Sequence, residues 1–82
     1  LTYLHYAEDL SGVILIGSNL ANKDFSGMNL ESAKLGYANL TGANLRQTNL
    51  AGAFLSSANL RGADLSDANL TGTIMDDETI QN

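Results

Sequence analysis

Between Ala38 and Leu70 the chain reads ANLTGANLRQTNLAGAFLSSANLRGADLSDANL, a pattern that repeats every five residues. A large apolar residue recurs at Leu40, Leu45, Leu50, Leu55, Leu60, Leu65 and Leu70. Two positions before each stands a small one: Ala38, Ala43, Thr48, Ala53, Ala58, Ala63 and Ala68. Five suits neither regular element. In an α-helix five residues turn through about 500°, so the leucines would spray around the cylinder with no apolar stripe. In a straight strand the side-chain period is two, so successive leucines would point to opposite faces. All the leucines reach one core only if the chain turns once per pentad. The small residue and the Leu share a face because they are two apart. Short extended sides joined by tight turns make a solenoid.

The residue just before each Leu-type position predicts the number of sides. It is Asn or Asp at Asp9, Asn19, Asp24, Asn29, Asn39, Asn44, Asn49, Asn59, Asp64 and Asn69. The interior exceptions are Ile14, Lys34, Phe54 and Ile74, spaced twenty apart, which is four pentads. A three-sided coil would scatter them. A four-sided coil gathers them onto one side that differs from the other three.

This pattern resembles the pentapeptide repeat family, whose motif is A(D/N)LXX. ANLTG, ANLRQ, ANLRG and ADLSD are close copies, and SNLAN, KDFSG, MNLES, AKLGY and AFLSS are weaker ones. The resemblance runs from about Asp9 to about Ile80. It implies an all-β fold, a right-handed quadrilateral β-helix of about three to four coils, with the Leu and the Ala-type residue inward. The expected core column runs from Leu10 through Leu15, Leu20, Phe25 and Leu30 to Leu70, flanked by Ala33 and the later alanines.

Three segments are expected: an N-terminal cap over 1–8, the solenoid over 9–75, and an acidic cap or tail over 76–82. LTYLHYAE breaks the phase, and solenoids need caps over their open ends. Tyr3 or Tyr6 is expected to pack on Ile14 and Ile16. Lys23 falls in an inward-type slot, where a lone ammonium is costly, so it is expected to reach out or to pair with Glu8 or Asp24. Gly recurs two after the Leu, at Gly12, Gly17, Gly27, Gly42, Gly52, Gly62 and Gly72, where tight turns often need positive φ. TGTIMDDETIQN is expected to keep the phase through Met75 and Ile80. The chain does not begin with Met, and it is read as a piece of a longer or processed protein.

Composition narrows the chemistry. There is no Cys, so neither a disulfide framework nor a thiolate metal site exists. No apolar run approaches the roughly 18 residues of a membrane span. The formal net charge is −5, and Lys23, Lys34, Arg46 and Arg61 do not cluster, which argues against direct nucleic-acid binding. The one His is His5, outside the repeats, so a Ser-His-Asp arrangement has no framework. The glycines recur with the repeat rather than forming a phosphate loop. Asp76, Asp77 and Glu78 lack calcium-loop spacing and read as a charged end that discourages edge pairing. No enzyme, cofactor or metal site is expected.

The expected function is a non-catalytic structural or interaction module, part of a larger or oligomeric protein, that meets a protein partner or a second copy. The resemblance implies an alternative, since some pentapeptide repeat proteins mimic DNA and bind type II topoisomerases. Length weighs against it: about three and a half coils span about 17 Å, half of a DNA turn of about 34 Å. Of compartments, the cytoplasm is favoured over the thylakoid lumen. The expected partner-binding face is the odd side, with Ile14, Ile16, Lys34, Tyr37, Phe54 and Ile74. An apolar patch rimmed by polar residues often marks an interaction site.

Overall fold

The structure is a computed structural model that describes residues 8–81. The cap expected over 1–8, and the packing of Tyr3 or Tyr6 on Ile14 and Ile16, lie outside the described residues apart from Glu8.

Among the described residues there is no helix, and the chain is held together by parallel bridges between stacked pentads. Asp9 bridges Asn29, Asn29 bridges Asn49, and the same step of twenty repeats along each column. The bonds run both ways. Leu30 donates its N–H to the Asn49 carbonyl at 2.7 Å, and Asn49 donates back to the Met28 carbonyl at 2.9 Å. Each bridge is a single residue because the chain turns again before a strand can lengthen.

The turns follow one rule. The residue three after each Leu donates back to the Leu carbonyl, as Ala43 does to Leu40 at 3.0 Å. The third residue of each such turn has positive φ, the mark of a type II turn. Seven of these are glycines, but Asn22, Ser32, Tyr37, Gln47, Ser57 and Asp67 adopt φ near +60° too. A non-Gly residue there costs about 1–2 kcal/mol, which the stacked neighbours on either side hold in place. Gly42 is the most constrained glycine. At φ +69° a Cβ on it would also run into the Asn22 side-chain oxygen of the coil before.

The Asn and Asp column brackets the turns from outside. Each Asx Oδ1 accepts the N–H two residues on, from Asp9–Ser11 to Asn69–Thr71. Along two columns the amide also donates to the Asx twenty before it, as Asn39 does to Asn19 and Asn49 to Asn29, both at 3.3 Å. The Ser11 N–H holds the Asp9 carboxyl below its ordinary range, and the Ser26 and Ser66 hydroxyls do the same for Asp24 and Asp64.

Inside, Phe25 and every Leu-type residue from Leu30 to Leu60 are buried, with Ala33, Ala38, Ala43, Ala53 and Ala58 beside them. Thr48 fits among the alanines because its hydroxyl donates to the Phe25 carbonyl at 2.8 Å. The column opens at both ends. Leu10, Leu15, Leu20 and Leu65 are half-buried, as are Ala63 and Ala68, and Leu70 is 39% exposed because no coil stacks above it. The expectation that Leu70 is core is corrected on that ground. Lys23 is exposed, which removes the burial cost.

The phase also fails one step before the end. Asn59 bridges Ile80, twenty-one residues on, so Ile80 takes the outward slot and not the expected inward one. The unshifted phase would turn Glu78 inward. The slip puts Thr79 there instead, and its hydroxyl donates to the Leu55 carbonyl at 2.8 Å, as the Thr48 and Thr73 hydroxyls do to the Phe25 and Leu50 carbonyls. Burying an unpaired carboxylate costs more than leaving one Ile at the surface. Asp76 absorbs the extra residue. Its Oδ1 accepts the Ser57 N–H at 2.9 Å, where a backbone carbonyl serves every earlier coil.

Three outcomes test this. Leu50→Ala should cost about 2–5 kcal/mol in denaturant unfolding, since stacked coils cannot collapse around the gap. Gln47→Gly should raise stability by up to about 1 kcal/mol by relieving the left-handed turn, while Gly42→Ala should lower it. Because the folded pKa values of Asp9, Asp24 and Asp64 are depressed, their contribution is present above the unfolded carboxylate pKa and lost as pH falls through the folded values. The unfolding midpoint should therefore drop below about pH 4. Replacing all three by Asn, which keeps the bond without the titration, should make that acid limb shallower and leave the part that Asp76 contributes.

Candidate functional site

The four exceptions to the Asx rule form one column. Ile14 bridges Lys34, Lys34 bridges Phe54, and Phe54 bridges Ile74. Their side chains point out of the coil for the same reason that Asn does elsewhere: the neighbouring small residue and Leu both face inward. The structure thus gathers the expected residues on one side. Ile14 is 67% exposed, Ile16 59% and Tyr37 72%, with Phe54 and Ile74 less so.

The side is not flat. A groove of about 260 Å³ is lined by Ile16, Lys34, Gly36, Tyr37, Phe54 and Ser56. Four of the six expected residues line it, while Ile14 and Ile74 flank it within the column. Gly36 and Ser56 occupy the slot just after the Leu, and their small size leaves the floor open. Their spacing of twenty places them on this side from sequence, but a cavity needs the heights of Tyr37 and Phe54 as well. The Lys34 ammonium sits 5.2 Å from the centre of the Phe54 ring, within cation–π range. Both groups thereby line the same wall.

Tyr37 stands at φ +61°. The other turns use Gly or a small or polar residue at that point. A bulky aromatic in the left-handed region is an outlier, and such strain concentrates at functional positions. The ring contributes little to the core, being largely in solvent.

The acidic end has structural partners of its own. The Ser57 N–H, with further bonds from Ser57, Glu78 and Thr79, holds the Asp76 carboxyl below its ordinary range. Among the described residues no group of three or more His, Cys, Asp or Glu is arranged to hold a metal ion. Nor is any helix there long and apolar enough to cross a membrane.

The geometry has counterparts. A family model for pentapeptide repeats matches residues 9–47 and 38–77, in eight copies. The crystal structure of Rfr23, a pentapeptide repeat protein from the cyanobacterium Cyanothece 51142, aligns with a TM-score of 0.79 at 37% identity, over 90% of this chain and 54% of that one. HetL, a pentapeptide repeat protein involved in heterocyst differentiation regulation from the cyanobacterium Nostoc sp. strain PCC 7120, aligns with a TM-score of 0.51 at 31% identity, over 80% of this chain and 38% of that one. The chain therefore spans about half or less of the length of these relatives. A search of curated proteins finds no match. The repeated motif, the parallel stacking and the alignment with Rfr23 agree: the chain belongs to the pentapeptide repeat family and folds as a right-handed β-helix.

Proposed function

We propose that the chain is a non-catalytic docking module, a four-sided coil of three to four turns whose odd face receives a protein partner. The bridging step of twenty supports four sides, because each turn of the coil then takes four pentads. The observation that carries the docking reading is Tyr37, a large aromatic held exposed at a strained turn beside an apolar groove. Stability alone favours Gly there. Aromatic anchors of this kind dominate interface energies. The family commonly serves structural and interaction roles, which fits a rigid scaffold with one distinctive side.

Self-association has a specific place as well. At the C-terminal end Leu70 and Ile74 are exposed and Leu65 and Met75 half-buried, with no coil above them. A second copy of the chain covers that surface in this reading. The DNA-mimicking alternative gains nothing from the geometry, because the distinctive face is apolar and carries Lys34 rather than a carboxylate row.

Tyr37→Gly should raise the unfolding midpoint and weaken partner capture together, a pairing that a purely structural tyrosine would not show. The companion change Tyr37→Asp with Phe54→Asp should keep a β-rich circular dichroism spectrum and abolish capture. If both folded variants retain every partner of the parent and its sedimentation behaviour, the odd face is not the docking site.

A further inference from the structure

The backbone donors on the odd face are left over. Everywhere else the N–H of the residue after the Leu has an acceptor outside the coil. Asn39 takes the Thr41 N–H, Asn49 that of Ala51, Asn59 that of Arg61, and the remaining Asx residues do likewise. On the odd face the Asx slot holds Ile14, Lys34 and Phe54, which have no acceptor to offer. Among the described residues, the corresponding N–H groups of Ile16, Gly36 and Ser56 have no hydrogen-bond partner. The turn is the same as elsewhere, so these three donors point outward as the paired ones do. All three residues line the groove. They stack one coil apart, about 4.8 Å between neighbours.

We infer that the groove binds an extended, acidic segment of a partner protein, whose carboxylates take the three free N–H groups while its apolar side chains fill the space between Tyr37 and Phe54. This rests on the docking reading of the same face and adds the chemistry of the occupant. Charge complementarity selects a carboxylate over a neutral acceptor. Lys34 is the one charged residue in the odd-side pentads before Asp76, and its ammonium lies over the wall of the groove. The oxygens of one carboxylate can bridge two N–H groups a coil apart. Three donors in a row call for a segment that carries acids and apolar residues together on one face, two positions apart, not for a single small anion. Within the protein the same exchange already occurs at Ser57, whose N–H takes the Asp76 carboxylate in place of a backbone carbonyl.

The test is titration of the labelled chain with a heptapeptide, blocked at both ends, whose odd positions read Asp, Phe, Glu, Val and whose even positions are Ser. Its counterpart carries Asn and Gln instead. The amide proton resonances of Ile16, Gly36 and Ser56 should move downfield with the acidic peptide, and the neutral one should bind about tenfold more weakly or worse. Lys34→Met should weaken binding but leave the Gly36 shift. Lys34→Asn supplies an acceptor from the chain itself, as at Asn39, and should silence Gly36 alone. Equal affinity for the two peptides, or binding with the three amides unmoved, overturns the inference. Complete absence of binding overturns it as well, while the docking face itself is judged separately by the Tyr37 and Phe54 variants.

Discussion

Everything in this protein depends on each pentad lying on the pentad twenty residues away. A lone pentad is a short extended piece and a strained turn, with a single Leu to bury. Stacked, its N–H and C=O groups find partners above and below, and its Leu enters a continuous column. Stability is then a sum over neighbouring coils, which is why the middle is sealed and the ends are not. Leu50, with coils on both sides, is fully buried, whereas Leu70 stands over Leu50 with nothing above it.

Stacking also explains why thirteen turns can share one conformation although six of them lack glycine. The left-handed residue is disfavoured locally, but the bonds to the coils on either side over-determine it. Gln47 donates to the Ser66 carbonyl at 2.9 Å, and the Asn44 side chain holds the N–H just before it. The outward Asx residues are therefore part of the turn chemistry and not a surface ornament. Removing them from one side frees that side for another use. The odd face loses an acceptor column, gains an apolar groove and, among the described residues, leaves three N–H groups without a partner.

The repeat made much of this readable. The coil step followed from the twenty-residue spacing of Ile14, Lys34, Phe54 and Ile74, because a periodic chain reports its own stacking register. The same counting placed Tyr37 and Gly36 on the side of Phe54. It could not see that Gly36 and Ser56 leave a hollow, since depth depends on how far Tyr37 and Phe54 stand above the backbone. It could not see the Lys34 ammonium over the Phe54 ring either, because a long flexible side chain has several places to go.

What the sequence by itself determined is the pentad, the inward column and the identity of the side that differs, because each is a property of spacing. What only the tertiary structure decided is where the spacing breaks. At Asp76 the choice lies between turning Glu78 inward with Ile80, or Thr79 inward alone. The count of five favours the first. The second prevails because the Leu55 carbonyl of the coil below can accept a bond from the Thr79 hydroxyl, and because the Ser57 N–H of that coil can donate to the Asp76 carboxylate. Both groups lie about twenty residues back along the chain, and only folding brings them within reach.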